Sequence, residues 1–144
     1  MAAGTGGAVA SDTVQATRAG LTVLAQGGTA ADGAVAVAST LGVTDPFVAG
    51  IGGGGFVVIY LAHEHRVITI DGRQTAPAAF PENAFLDANG NAIPFFPQRV
   101  TSGMAVGVPG TLASWAAADR YGTLPLKRLI VDSHRLTATH TLSL

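Results

Sequence analysis

The chain has 144 residues, a formal net charge of −1, no cysteine and 12% charged residues. Its length favours one domain, and its near-neutral charge does not support a nucleic-acid or membrane-surface partner. The absence of cysteine excludes disulfides, thiolate catalysis and cysteine metal ligands. Charged residues usually make up about 25% of a globular chain, so the composition indicates either a membrane protein or one piece of a larger protein.

A membrane span is not predicted. The uncharged run at residues 46–62 includes a proline and five glycines and is shorter than the ~20 apolar residues that a bilayer requires. The first residues have neither a basic region nor an apolar core, so no signal peptide is expected in this chain. The compartment therefore stays open.

Two helices are predicted in the first third of the chain. Ser11 is a candidate N-cap for a helix over about residues 12–26, where apolar residues recur at spacings of three and four. Thr29 and Asp32 have the spacing of a capping box and predict a second helix to about Leu41. The second helix is small and apolar on every side, which predicts neighbours packed all around it.

A β-hairpin is predicted next. Residues 50–55 are five glycines and one isoleucine, and the continuously apolar residues 56–61 follow them. That apolar run predicts a central strand covered on both faces, and the alternating residues 67–71 predict its partner. The glycines are expected to let the backbone pass close to another backbone or to adopt positive φ repeatedly. They also match G-x-G-x-x-G, but a dinucleotide site requires a strand before the glycines and a helix after them.

The second half is predicted to be a long irregular segment followed by helices. Residues 72–101 lack periodicity and contain four of the seven prolines, and loops of this length are usually functional or lie over another surface. A helix is predicted over about residues 110–121, and Pro125 starts another. The residues expected on the inner side of the 110–121 helix are Leu112, Trp115 and Ala116. From residue 131 the chain is rich in Thr, Ser and His and shows no helical pattern.

An arginine at the end of the hairpin is the main candidate for binding chemistry. Arg73 follows Asp71 and Gly72 and precedes a stiff segment that contains Pro77. A guanidinium held in this way can grip a carboxylate through two hydrogen bonds. From the residue pattern alone, a structural ion pair with Asp71 or another acid is the more common outcome.

Other candidate residues carry weaker signals. His63, Glu64 and His65 resemble a metal cluster, but neighbouring side chains of a strand point to opposite sides and no third ligand is near, so a solvated turn is favoured. His134 and His140 lie in no ligand pattern and receive no role. The serines lack a G-x-S-x-G elbow and a Ser-His-Asp order. The serines considered are Ser11, Ser39, Ser102 and Ser114.

Several motifs occur in one order between about residues 8 and 130. They are Val9-Ala10-Ser11, residues 27–36 (GGTAADGAVA), Asp45-Pro46, residues 52–56 (GGGGF), Asp71-Gly72-Arg73 with Ala76-Pro77, residues 108–111 (VPGT) and Tyr121-Gly122. In this order they resemble the N-terminal part of the large subunit of γ-glutamyltransferases, which are also called glutathione hydrolases. The combination is more specific than any single motif.

The resemblance implies an α+β fold, a partial αββα sandwich of the N-terminal nucleophile hydrolase type in which helices pack on a β-hairpin of the central sheet. It also implies a precursor that cleaves itself into a large and a small subunit. The threonine freed at the start of the small subunit attacks the γ-glutamyl amide of glutathione or a related compound, with its own α-amine as base. Water, or the amine of an amino acid or peptide, then takes the glutamyl group. No cofactor and no metal are involved.

The resemblance also assigns a role to Arg73. In that family the arginine of the D-x-R-x-x-A-P motif binds the α-carboxylate of the glutamyl group, and Arg73 occupies this position. The family's nucleophile motif resembles T-T-H-x-S and is not matched here, because alignment on His140 places Ala138 at the nucleophile and Leu142 at the serine. We therefore expect Arg73 to bind substrate, no residue of this chain to be catalytic, and the chain alone to be inactive.

Three regions and their partners follow from the resemblance. Residues 1–7 are expected to be a flexible N-terminus, residues 8–130 the large-subunit segment, and residues 131–144 a divergent tail produced by a frameshift or truncation. The expected partners are the rest of the large subunit and the small subunit, and the family is often periplasmic or extracellular in bacteria. The alternatives are a cephalosporin or glutaryl acylase of the same superfamily, a non-catalytic remnant and, last, a nucleotide-binding module.

Overall fold

The computed structural model describes residues 6–139, which form an α+β arrangement of helices and a two-stranded antiparallel sheet. The helices are α1 Val14–Ala25, α2 Ala30–Thr44, α3 Pro46–Ala49, α4 Thr111–Asp119, α5 Leu126–Leu129 and α6 Val131–Thr137, and the strands are β1 Gly55–Leu61 and β2 Arg66–Gly72. Residues 1–5 and 140–144 lie outside the described residues. Most of the expected N-terminal region, the end of the expected tail and His140 are therefore not described.

Helix α1 begins two residues later than predicted. Its N-cap is Thr13, whose hydroxyl accepts a hydrogen bond from the Ala16 amide at 3.3 Å. The prediction that Ser11 is the N-cap is wrong. The Ser11 hydroxyl donates a hydrogen bond to the Thr13 carbonyl and shares another with the Thr17 hydroxyl. The buried face of α1 is made mostly of small residues, so α2 can approach it closely.

Helix α2 lies at the centre of the described residues and confirms the predicted capping box. The Thr29 hydroxyl accepts from the Asp32 amide at 3.2 Å, and the Asp32 carboxylate accepts from the Thr29 amide at 2.7 Å. Helices α1, α4, α5 and α6 all contact α2, and Ala30 and Ala34 are its only exposed residues. The expectation of neighbours all around this helix is thus confirmed except at Ala34, where the helix lines an open cavity.

The Asp32 side chain also fastens α2 to the segment between α4 and α5. It is fully buried, and it accepts hydrogen bonds from the amides of Thr123 at 3.0 Å and Leu124 at 3.4 Å. Burial by itself raises the pKa of this carboxyl, but the hydrogen bonds from Thr123, Thr29 and Leu124 outweigh it, so the pKa lies below its ordinary value. The folded chain therefore favours the ionised carboxylate.

We expect the free energy of unfolding to fall at acid pH because of Asp32. A carboxyl whose pKa is lowered by folding stabilises the protein above its unfolded pKa of about 3.9, and the contribution is lost as the pH falls through the lower folded-state value. Urea unfolding, followed by the fluorescence of the buried Trp115, measures the effect.

Asp87 requires a control, because hydrogen bonds from the Asn91 and Asn89 amides also lower the pKa of its exposed carboxyl. The Asp87→Asn variant removes that second group and leaves the Asp32 network untouched. Stability that stays constant in this variant between about pH 6 and pH 3 would contradict the role given to Asp32.

Strands β1 and β2 form the predicted hairpin, in a register that places Gly55 opposite Gly72. One face of the hairpin is covered, because Val57, Ile59 and Ile70 pack against the core between α2 and α4. The expectation that β1 is covered on both faces is wrong within residues 6–139, since the other face carries exposed apolar side chains. These are Phe56, Val58 and Tyr60 of β1 and Val67 of β2.

The last three helices complete the core beside α2. Trp115 of α4 is buried as predicted, whereas Leu112 and Ala116 are exposed, so their predicted inward positions are wrong. The buried residues on either side of Trp115 along the inner face are Ser114 and Ala118. The expectation of no helix after residue 130 is also wrong, because α6 follows α5 directly and contacts α2. The proposed division of the chain at residue 130 stays a prediction.

The segment between β2 and α4 is largely irregular, as predicted, apart from short helical turns at Phe95–Arg99 and Gly103–Ala105. Its own side chains hold it together. The Arg99 guanidinium lies 5.1 Å from the centre of the Phe85 ring and donates to the Ile93 carbonyl at 2.6 Å. The segment is therefore an ordered loop that leads from the hairpin to α4.

Candidate functional site

Three glycine-containing segments meet where the hairpin ends. The Gly53 carbonyl accepts a hydrogen bond from the Gly110 amide at 2.9 Å. Thr75 and Val108 exchange two backbone hydrogen bonds, of 2.8 and 3.3 Å. We call the three segments, residues 52–55, 72–75 and 107–111, the glycine junction. The junction holds the backbone on both sides of Arg73.

Glycine is required in the junction because the backbones approach each other closely. A Cβ atom on Gly54 would lie 2.5 Å from the Gln74 amide nitrogen, and one on Gly72 would lie 2.5 Å from Ser114 Cβ. None of the glycines in residues 50–55 has a positive φ. The prediction of close backbone approach is therefore confirmed, and the alternative of repeated positive φ is wrong.

Arg73 is exposed beside the junction. The alternative of an ion pair between Arg73 and Asp71 is wrong, because the Asp71 carboxylate accepts instead from the Arg73 backbone amide at 3.0 Å. The ion pairs within residues 6–139 lie elsewhere, beside the hairpin turn and on α6. The Arg73 guanidinium thus has no acidic partner in the described part of the chain. Its N–H donors can therefore bind the carboxylate of a ligand.

A cavity of about 550 Å³ opens beside the junction. It lies between α2, α3, α4 and the start of β1, and none of the described residues that line it is charged. Gln74 lines the cavity, and its side chain lies close to both Gly54 and Gly107. Sequence reasoning did not identify Gln74, because these contacts join segments that are distant along the chain and no motif marks them.

The serine and histidine candidates do not form a catalytic or metal site among the described residues. The serines bond to the backbone, and the histidines are exposed to solvent. Ser39, Ser102 and Ser114 each donate to a backbone carbonyl three residues earlier. His63 and His65 lie in an exposed turn, as predicted. Within residues 6–139, no group of three or more His, Cys, Asp or Glu side chains is placed to hold a metal ion. None of the helices in this range has the length and apolar character of a membrane span.

Known proteins resemble this arrangement closely. A family model described as Gamma-glutamyltranspeptidase matches residues 16–139. The glutathione hydrolase proenzyme of Bacillus subtilis is 47% identical over 134 residues, which make up 92% of this chain and 23% of that protein. The γ-glutamyltranspeptidase of Helicobacter pylori superposes with a TM-score of 0.87 at 38% identity, over 94% of this chain and 38% of that chain.

A cephalosporin acylase from Bacillus halodurans is less similar, with a TM-score of 0.71 and 31% identity over 84% of this chain and 22% of that chain. Each of the three known proteins extends well beyond the part that matches, and this chain spans less than a quarter of the length of the Bacillus subtilis relative. The family match nevertheless runs from α1 through α6. The chain therefore belongs to the gamma-glutamyltranspeptidase family.

Proposed function

We propose that this chain is the part of a γ-glutamyltransferase that holds the glutamyl group of the substrate. The complete enzyme cleaves the γ-glutamyl amide of glutathione or a related compound and transfers the glutamyl group to water or to an amine. The Bacillus subtilis relative, named a glutathione hydrolase proenzyme, supports this activity at 47% identity. The observation that carries the proposal is the position of Arg73 at the end of β2, without an acidic partner among the described residues.

Arg73 binds the α-carboxylate of the glutamyl group. The backbone around it is held on both sides, since Asp71 accepts from the Arg73 amide and Thr75 is bonded to Val108. A backbone that is already ordered loses less conformational entropy when the ligand binds. The planar guanidinium presents two parallel donors to the two carboxylate oxygens, which fixes the orientation of the glutamyl group.

The nucleophile comes from polypeptide outside these residues, since T-T-H-x-S does not occur in the sequence. The hydroxyl of an N-terminal threonine attacks the γ-carbonyl carbon, and its own α-amine takes the hydroxyl proton. Backbone donors stabilise the oxyanion, the leaving amine departs with a proton, and a γ-glutamyl ester forms. Water or an acceptor amine then cleaves the ester and restores the hydroxyl. Arg73 contributes by placing the carbonyl in reach of the nucleophile.

The uncovered face of the hairpin supports an αββα sandwich in the complete enzyme. Helices α2 and α4 cover one face, and the apolar side chains on the other face are exposed. A second sheet covers that face in the sandwich, and further helices cover the second sheet. The residues that it buries are Phe56, Val58, Tyr60 and Val67.

A glutaryl or cephalosporin acylase is the second candidate, and the match to the Bacillus halodurans acylase favours it. A glutaryl group keeps the terminal carboxylate that Arg73 binds but has no α-amine, so Arg73 alone suits both substrates. The higher TM-score and identity of the Helicobacter pylori γ-glutamyltranspeptidase favour the glutamyl substrate.

Turnover measurements on the chain and on a chimera test the proposal. The isolated chain is expected to release no nitroaniline from γ-glutamyl p-nitroanilide, because it has no nucleophile. In the chimera, residues 16–139 of this chain replace the aligned segment of the Bacillus subtilis proenzyme. We expect this protein to hydrolyse γ-glutamyl p-nitroanilide and to be slower on glutaryl p-nitroanilide. Turnover by the isolated chain, or a folded and processed chimera that is inactive or prefers the glutaryl substrate, would contradict the proposal.

A further inference from the structure

The long segment between β2 and α4 contains an asparagine followed by a glycine in an exposed turn. Asn89 and Gly90 are both exposed, and Gly90 has a φ of 79°. A Cβ atom on Gly90 would meet no atom within 4 Å, so no other segment crowds the bond between these two residues. Asparagine is a thermolabile residue, and a following glycine has no side chain to hinder attack on the asparagine carboxamide.

The turn is held by hydrogen bonds within residues 87–91. Asp87 Oδ1 accepts from the amides of Asn89 at 2.9 Å and Asn91 at 2.8 Å, and the Asp87 carbonyl accepts from the Gly90 amide at 3.0 Å. No hydrogen bond among the described residues holds the Asn89 carboxamide. The carboxamide is therefore free to rotate, and only the bond from Gly90 to Asp87 must open to release the Gly90 nitrogen. Exposed hydrogen bonds in loops open readily.

We propose that Asn89 is a site of spontaneous deamidation, with water as the other reactant. The backbone nitrogen of Gly90 gives its proton to solvent and attacks Cγ of Asn89. The Cγ–Nδ2 bond breaks, Nδ2 takes a proton from solvent and leaves as ammonia, and a cyclic succinimide forms. Water then adds to one of the two ring carbonyls and cleaves its C–N bond, which gives aspartate or isoaspartate at position 89.

Sequence and exposure together select Asn89 over the other candidate positions. Asn83 and Asn91 are also exposed, but alanine follows each of them, and its methyl group hinders the attack. Glycine also follows Asp32 and Asp71, but an ionised carboxylate is a poor electrophile because it would have to lose an oxide ion. The backbone is also fixed at both positions, since Asp32 is buried in α2 and Asp71 is paired in the hairpin.

The reaction changes both the charge and the backbone of the turn. Either product replaces a neutral carboxamide with a carboxylate two residues from Asp87, and like charges repel. In isoaspartate the chain continues through the side-chain carbonyl, so the backbone gains a methylene group. The bonds from Asn89 and Asn91 to Asp87 are then distorted. We expect the turn to loosen without unfolding of the chain, because these bonds are local.

Incubation of the purified chain in mildly alkaline buffer at physiological temperature tests the proposal. Isoelectric focusing is expected to show a more acidic form that accumulates with time, because the product carries one more negative charge. Trypsin releases residues 74–99 as one peptide, which contains all three asparagines of the chain. Mass spectrometry of this peptide is expected to place the conversion of amide to acid at Asn89 and not at Asn83 or Asn91.

Two comparisons make the test specific. Gly90→Ala is expected to slow the conversion about tenfold or more, because the added methyl group hinders the attack. The same substitution in the free peptide of residues 74–99 shows this effect without any contribution from the fold. Conversion in the native chain is expected to be within about tenfold of that in the unsubstituted peptide, because one exposed hydrogen bond must open first.

Four results would overturn the proposal. They are the absence of an acidic form, conversion at Asn83 or Asn91 in place of Asn89, an unchanged rate in the Gly90→Ala peptide, and a native chain that reacts at far less than about one-tenth of the peptide rate. The reaction needs neither Arg73 nor a nucleophile from outside the chain. An inactive chimera would therefore contradict the proposed function and leave this inference intact.

Discussion

Replacing Arg73 with alanine in the chimeric enzyme is expected to lower kcat/KM for γ-glutamyl p-nitroanilide by roughly 30-fold to several thousand-fold. Arg73 is exposed in this chain, and the estimate takes its pair with the substrate carboxylate to be buried in the complete enzyme. Truncating one partner of a buried, hydrogen-bonded charge pair costs about 2–5 kcal/mol. The guanidinium has no ion pair with another described residue, so its removal leaves no acidic side chain of this chain unpaired. The lost free energy is therefore that of binding the substrate carboxylate.

Two further variants make the Arg73 prediction specific. Arg73→Lys keeps the charge but loses the planar fork of donors, so its kcat/KM is expected to lie between those of the parent and Arg73→Ala. Arg66→Ala is the matched control at the other end of β2. Arg66 pairs with Glu64 at 2.6 Å on the surface, and solvent screens exposed pairs so strongly that they contribute little to stability. A loss in Arg66→Ala equal to that in Arg73→Ala would contradict the assignment.

Replacing Gly54 with alanine is expected to destabilise the isolated chain by about 3 kcal/mol or more, at or above the upper end of the range for overpacking. The new methyl group would meet backbone atoms, namely the Gly72 carbonyl oxygen and the Gln74 amide nitrogen. Backbone atoms in three hydrogen-bonded segments cannot move as a side chain can. The junction would therefore have to open, and Arg73 would lose its support.

The neighbouring Gly52 supplies the control for Gly54. It belongs to the same run, has no positive φ, and a Cβ atom there would meet no atom within 4 Å. Gly52→Ala is therefore expected to change the free energy of unfolding by no more than about 0.5 kcal/mol. Urea unfolding with Trp115 fluorescence compares the two variants. Equal stability of Gly54→Ala and Gly52→Ala would contradict the account of the junction.

Local signals in the sequence predicted most of the elements correctly. The capping box at Thr29 and Asp32 depends on residues three positions apart, and alternation over residues 67–71 defines a strand within itself. The choice between Ser11 and Thr13 as N-cap failed, because both carry a hydroxyl and lie two residues apart at the start of the same helix. Helix α6 was missed because its sequence has no apolar stripe.

Long-range contacts explain what the sequence did not predict. The Asp32 carboxylate accepts a hydrogen bond from the amide of Thr123, which lies 91 residues further along the chain. No local sequence pattern predicts that hydrogen bond. The exposed face of β1 was not predicted for a similar reason. A continuous apolar run predicts that the strand is buried, but it does not show which segment covers each face. In the candidate site, Arg73 was found through its motif, whereas the contacts of Gln74 and the cavity beside the glycine junction arise only when distant segments meet.

The central claim, that Arg73 binds the α-carboxylate, is tested most directly with a substrate that lacks this group. The compound 4-aminobutyryl p-nitroanilide keeps the amine and the scissile amide of the γ-glutamyl substrate but has no α-carboxylate. In the chimera, the ratio of kcat/KM for the γ-glutamyl substrate to that for the 4-aminobutyryl substrate is expected to be large. The Arg73→Ala variant is expected to collapse this ratio, because the two changes remove the same interaction. A ratio that the variant leaves unchanged would contradict the claim.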